Sequence, residues 1–412
     1  MESSNNFDAL RAFRHSFYEC FDRRAGALFE LSDAIFLAAG AAPSPVHLSL
    51  EAVHRRGWGS LYAALGRGRI DESGLRSLLA RCPLTDETAK DRKDRPPIFA
   101  VDVSVWPRCD AEASPGRAYY YHPSRHSAGQ PIVAGWAYQL VAQLGFARDS
   151  WVAPVDARRV RPEEDANEVA VEQAKALLGR LPGYGDAPWF VFDAFSTIPS
   201  TCSEGSKDAG LSCSCGCIRT VAFTPTPEHP SPKPVGRPRR HGKKFDLKAP
   251  GGTWPTPSAE HSCHEGDYGS VRVRCWAGLH PKTRRIGEGY GCEAAPVVRG
   301  TVVLVEVERL PRETRKPKKL WLWWNGVAEP DLDLLWRTYC RRFDLEHTIR
   351  FLKQTLGWTT PRVRHPEQAD RWTWLILAAY AQLRLAQVVV ADRRLPWERS
   401  LPRRTALKGL RR

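Results

Sequence analysis

No stretch of this 412-residue chain approaches about 20 uninterrupted apolar residues, which argues against a membrane-spanning helix. The N-terminal MESSNNFDALRAF has neither a basic n-region nor an apolar h-region, so no secretory signal is expected. No internal repeat is visible. Acidic residues are in deficit, 46 Asp and Glu against 61 Lys and Arg, which gives a formal net charge of +15. With a pI near 9.5, this excess calls for a polyanionic partner, and nucleic acid is the first candidate. The cysteine count, 11, is odd. Without an export signal that makes a disulfide framework improbable and points to reduced thiols in a cytoplasm. What the chain does have is 42% hydrophobic residues, enough for a sizeable core, and a length that suits about two or three domains. Its 15 Trp are a high count; several suit the core, and aromatic rings also offer stacking surfaces for unpaired bases.

The most specific pattern is Tyr339-x2-Arg342-x3-Glu346-x6-Lys353 in the run RTYCRRFDLEHTIRFLKQTLGW. At 3.6 residues per turn these four side chains fall within roughly 60° of one another on a helix. The opposite flank carries Phe343, Leu345, Ile349, Leu352 and Leu356, which can pack inward. A carboxylate on a basic stripe suits an acid that holds a metal next to phosphates. The plain alternative is an amphipathic helix with i,i+4 charge pairs.

Composition along the chain suggests five regions. Residues 1–90 read as a helical N-terminal domain, built on FDALRAFRHSFYECF, SLEAVHRRGWGSLYAALGRG and DESGLRSLLARC, with DNA binding or a simple helical cap as its role. Residues 91–232 begin with the strand candidates IFAVDVSVWP, RAYYYHP and PIVAGWAYQLVAQLG. A helix over 163–181 and the buried strand PWFVFDAF follow. Three strands, a helix and a strand form the order that opens an RNase H-like α/β core. Residues 233–330 read as a β-rich insertion with a basic loop and the strands TVVLVEVERL and KLWLWW. Residues 331–392 hold long helices over about 331–356 and 366–392, and 393–412 form a basic tail.

Asp102 sits inside the apolar strand VDVSVWP, and Asp193 ends the apolar run WFVFD. A carboxylate beside such a strand is costly to bury unless it is paired or metal-bound. With Glu346 these acids make three carboxylates, two on strands and one on a helix. That set fits two Mg²⁺ ions, Mn²⁺ being able to substitute, in an in-line phosphoryl displacement. The first nucleophile would be water, which nicks DNA and leaves a 3′-OH, and that hydroxyl would then attack another phosphodiester. Asp94, Asp110, Asp186 and Asp344 are weaker candidates. The first two lie outside an apolar strand, Asp186 lies in the turn GYGDAP, and Asp344 points to another helical face than Glu346.

At these residues the chain resembles a group of actinobacterial insertion-sequence transposases with a DDE superfamily endonuclease core. The likeness rests on VDVSVWPRCDAEASPGRAYYYHPSRHSAGQPIVAGWAYQLVAQLGF, GRPRRHGKKFDL, LWLWW, RRFDLEHTIRFLKQTLGWTTPRVRHPEQADRWTWLILAAYAQLRLA and PWER. It spans nearly the whole chain apart from roughly 195–232. It implies an RNase H-like nuclease that binds its element's terminal inverted repeats and cleaves and joins DNA strands. Its three acids fall on Asp102, Asp193 and Glu346, with Tyr339, Arg342 and Lys353 on the DNA-facing side of the same helix, and Arg350 is a further candidate DNA contact. It also implies double-stranded DNA, both element ends and target, as partner, a homodimer when ends are paired, and action at the bacterial nucleoid. The alternatives are a decayed transposase that only binds DNA and a metal-dependent nuclease without strand transfer.

Two departures stand out. The family reads Asp-Ala-Gly-Tyr-Asp after the second acid, then a helix and an apolar strand. Here Asp193 is followed by AFSTIPSTCSEGSKDAGLSCSCGCIRTVAFTPTPEHP, rich in Ser, Thr, Cys and Pro. A frameshifted segment is the expectation, irregular and poorly packed, and the ending at LKGLRR suggests a truncated copy. A zinc knuckle of Cys202, Cys213, Cys215 and Cys217 is disfavoured because CSCGC lacks the C-x2-C spacing. HSCH, with His261, Cys263 and His264, reads as a surface loop. GRPRRHGKK resembles a minor-groove hook, with Arg237, Arg239, Arg240 and Lys243 as DNA contacts, although Val235 stands where the full hook has Arg. In KLWLWW, alternation puts Trp321 and Trp323 on one face and Trp324 on the other, most of them core.

Overall fold

The computed structural model describes residues 2–38, 40–42, 44–82, 84, 95–121, 131–147, 149–181, 188–193, 212–216, 223–225, 241–249, 253–281, 297–311, 317–326 and 329–387. The chain divides into two compact units, one of residues 1–186 and 343–412, the other of residues 187–342.

The first unit opens with α1 (Glu2–Glu19), β1 (Phe21–Arg23), α2 (Ala25–Leu37), a 3₁₀ turn (Pro45–Leu50), α3 (Gly59–Arg67), β2 (Arg69–Ile70) and α4 (Glu72–Arg81). Phe17, Leu28, Leu31, Leu61, Leu65 and Leu75 recur at helical spacing and are fully buried. Asp71 starts α4 by accepting a hydrogen bond from the Ser73 amide at 3.1 Å. Four strands follow: β3 (Ile98–Pro107), β4 (Ala118–Tyr121), β5 (Ile132–Leu144) and β6 (Val152–Val160). Antiparallel ladders run from β3 to β5 and from β5 to β6, and β4 also pairs with β5. Helix α5 (Ala166–Leu178) comes next, capped by Asp165, whose carboxylate accepts from the Asn167 amide at 2.6 Å.

Strand β6 was not expected from the sequence. Pro154, Asp156, Arg158 and Arg159 hide its apolar pattern. The ladder absorbs Pro154 at a register shift opposite Val141 and Ala142, the kind of irregularity where a strand tolerates proline. Asp156 is buried but satisfied, taking Arg76 Nε at 2.7 Å and Gln173 Nε2 at 3.0 Å. A strand carboxylate is therefore not a metal ligand by position alone.

The second unit holds β7 (Trp189–Phe192), β8 (Ser212–Gly216), β9 (Phe223–Pro225), β10 (Ala259–Glu265), β11 (Gly269–Pro281), β12 (Gly300–Val307) and β13 (Lys318–Trp324). Antiparallel ladders run β10–β11–β12–β13–β8, β8 pairs in parallel with β7, and β9 pairs with β11. Two expectations are corrected here. The Ser- and Cys-rich stretch is not irregular throughout. Residues 212–216 bond to a neighbour on each edge, and in 223–225 Phe223 is 0% exposed and packs on Trp323 at 5.1 Å. Main-chain ladder bonds hold such a strand even where few side chains are apolar. The rest of 195–232 lies outside the described residues. HSCH is likewise no loop but part of β10, where alternation puts His261 and Cys263 on one face and His264 on the other.

Helix α6 (Leu332–Gln354) begins where Asp331 accepts from the Asp333 and Leu334 amides at 2.9 and 3.1 Å. It ends in a turn through Gly357, whose φ of +71° favours a residue without Cβ. Helix α7 (Pro366–Ala386) follows, with Pro366 in its first turn and a capping box between His365 and Gln368. It is buried almost throughout and packs against α1, α2 and α3. Arg14 ties it to α2, donating to Gln382 Oε1 and to Asp33 Oδ1, both at 2.6 Å. No described helix is long and apolar enough to cross a membrane.

Candidate active site

Asp102 lies in the middle of β3, paired with Leu140 of β5, and its side chain is half-buried. The strand around it is apolar: Phe99, Ala100 and Trp106 are fully buried. One carboxylate oxygen accepts the Val103 amide at 2.8 Å. Val103 itself is 42% exposed, so β3 opens to solvent beside the acid.

Glu346 is half-buried on α6. Lys353 stands seven residues further along, close to the same helical face. Its Nζ donates to the Val105 carbonyl of β3 at 2.9 Å and lies 5.8 Å from the centre of the Trp358 ring. Burial pulls the Lys353 ammonium down to about 8, against the opposing pull of Asp102. Thus the face of α6 that carries Glu346 is anchored to β3 three residues from Asp102. On the other flank Leu345, Ile349, Leu352 and Leu356 are buried as the periodicity predicts, whereas Phe343 is 44% exposed.

Asp193 follows β7 directly in the second unit, with its side chain 60% exposed. Its Oδ1 takes Nη2 of Arg342 at 2.9 Å, and Arg342 is 1% exposed. The guanidinium also lies 5.7 Å from the ring centre of Tyr339, which is 4% exposed. Tyr339 and Arg342, expected to face DNA, are thus turned inward, one stacked and the other holding a carboxylate. Arg350 and Lys243 are exposed. Arg237, Arg239 and Arg240 lie outside the described residues, as do Asp94 and Asp186. The remaining rival acids are occupied or buried. Burial would raise Asp110, but Arg108 at 3.1 Å holds it below the usual carboxylate range, and Asp344 is 8% exposed with His347 at 3.9 Å.

The family described as DDE superfamily endonuclease matches residues 16–282. The chain belongs to this family. No curated protein matches it. Asp102 and Asp193 fall inside the matched residues and Glu346 outside them, so Glu346 stands on its spacing from Tyr339, Arg342 and Lys353. The mixed α/β architecture with its N-terminal helices agrees with the RNase H-like nuclease fold of DDE endonucleases. Enzymes of this superfamily act on DNA and use divalent metal ions. The donor set fits such ions: Asp102, Asp193 and Glu346 offer only hard carboxylate oxygens, and none of the three is fully buried.

Sequence reasoning missed Trp358 under the Lys353 ammonium and the Val105 carbonyl that receives it. The signal for Trp358 lay in the GW pair after α6, but a backbone carbonyl leaves no mark on a sequence.

Proposed function

We propose that this protein is a bacterial insertion-sequence transposase that binds the terminal inverted repeats of its element, cleaves DNA strands there and transfers them to target DNA. The observation that carries the reading is the DDE endonuclease match over residues 16–282, joined to a Tyr-Arg-Glu-Lys face on α6 that the match does not reach. Asp102, Asp193 and Glu346 are assigned as the acids that hold two divalent ions, Mg²⁺ or Mn²⁺. When bound, such ions stabilise the attacking and leaving oxygens of a phosphodiester displacement.

The chain's own groups have separable tasks in this reading. Arg342 orients Asp193 by gripping one carboxylate oxygen and leaves the acid open to solvent. Lys353 is held against β3 by Val105 and places a positive charge near Asp102. Exposed Arg350 and Lys243, with Arg237, Arg239, Arg240 and the tail 393–412, contact the phosphate backbone. Pairing two element ends calls for two copies of the chain, working on DNA in the bacterial cytoplasm.

The test is incubation of the purified chain with end DNA, target DNA and Mg²⁺. Cleavage followed by joining supports transposition. Cleavage alone reduces the protein to a nuclease, and binding alone to a DNA-binding relic.

A further inference from the structure

A second cluster of ligand-type side chains lies in the second unit. His261 and Cys263 alternate onto one face of β10, and Asp333 stands in the first turn of α6. One ligand atom from each residue lies within 4.8 Å of the others. His261 Nε2 approaches Asp333 Oδ1 at 3.2 Å, and Cys263 Sγ lies 4.0 Å from the same oxygen. The imidazole nitrogen is buried and off the hydrogen-bond line to that oxygen, so among the described residues it has no hydrogen-bond partner. A buried ring nitrogen left in that condition is costly, and a metal ion would satisfy it.

We propose that His261, Cys263 and Asp333 form a Zn²⁺ site that clips β10 to the start of α6. Zinc bonds of about 2.0–2.3 Å in a tetrahedron place ligand atoms roughly 3.5 Å apart. The His261–Asp333 spacing already meets this, and Cys263 needs to close by about an ångström. A thiolate, an imidazole and a carboxylate select a borderline-soft ion over Mg²⁺, and Cys263 binds by releasing its thiol proton to solvent.

The surroundings are those of an oriented ligand. Asp333 is fixed by Arg337 Nε, 2.9 Å from Oδ2, and by Trp336 Nε1, 3.0 Å from Oδ1. Arg337 Nη1 also reaches Glu265 Oε2 at 2.8 Å, the next residue along the same face of β10. Metal-binding carboxylates are held in this way by neighbouring donors. The charge balance points the same way. Asp333 and Glu265 face a single guanidinium, which leaves a net negative charge for a cation to neutralise. With zinc and a thiolate in place the cluster is neutral. Glu265 or water can fill the fourth position. The site is separate from the three acids assigned to DNA cleavage, and its test does not depend on them.

The experiment uses the full chain, stripped with a chelator and titrated with Co²⁺ or Zn²⁺. A thiolate-to-cobalt absorption band with tetrahedral visible bands is expected in the parent protein and in Asp102→Asn, and lost in Cys263→Ser and His261→Ala. Because those variants could fold poorly, alkylation of the parent protein is followed in parallel by mass spectrometry. Zn²⁺ should slow labelling of Cys263 by about ten-fold or more while leaving exposed Cys109 unchanged. A missing cobalt band, a band that survives in Cys263→Ser, or Cys263 labelling indifferent to Zn²⁺ would each overturn the proposal.

Discussion

Lys353 shows how far one residue can be read. Its place in the sequence suggested a cation facing DNA, but in the structure its ammonium is bonded to Val105 and coupled to Asp102. Its affinity for a proton drops to about 8 in the folded chain, from an ordinary value near 10.5. Between these two values the unfolded chain binds more protons than the folded one. Stability from this group therefore rises with pH from about 8 to 10.5, by up to about 3 kcal/mol at 1.36 kcal/mol per unit. Lys353→Met removes the titration and keeps the stem. Denaturant unfolding of the metal-free proteins should show the parent gaining stability over Lys353→Met as pH rises across that window. Parallel pH profiles would mean that the ammonium is not desolvated. Arg342 teaches a similar lesson. The helical wheel places it on a DNA-facing stripe, whereas its side chain is buried and its charge is matched by Asp193.

At the scale of elements, the sequence was legible wherever apolar residues kept a single period. β3, β5, β7, β12, β13, α5, α6 and α7 fall where alternation and helical spacing put them. β6 escaped because a bulge carries its proline and a buried carboxylate is matched by Arg76 and Gln173. β8 and β9 escaped because ladder bonds from neighbours far away in sequence hold them, which no local pattern records. Part of the segment suspected of a frameshift is thus structural, and it can be tested. Phe223→Ala deletes a fully buried ring that packs on Trp323 and should cost about 3 kcal/mol or more in denaturant unfolding. A loss under about 1 kcal/mol would mean that β9 contributes no real packing.

At the scale of the whole molecule, charge was the most readable property and remains the broadest constraint. A chain of net charge +15 that contacts several phosphates should lose DNA affinity steeply between about 50 and 200 mM salt. Removing 393–412, or neutralising Arg237, Arg239 and Arg240, should flatten that slope. Salt titrations of end-DNA binding that leave the slope unchanged in both variants would put the footprint elsewhere. The division into two units had no clear signal in composition, since its second boundary falls inside the continuous helix α6. Asp102 and Glu346 belong to one unit and Asp193 to the other. The sequence nominates the three acids through a motif and two apolar strands, whereas the Arg342 contact with Asp193 and the Lys353 bond to Val105 are visible only in three dimensions.

The central claim, that these three carboxylates cut DNA, is met most directly by strand-cleavage assays on end DNA with Mg²⁺. The parent chain, Asp102→Asn, Asp193→Asn and Glu346→Gln would be compared at matched DNA occupancy. Each substitution is expected to abolish nicking while end binding stays nearly intact. Cleavage by the parent chain together with more than a few per cent of that activity in any one variant would contradict it, and remove that residue from the site.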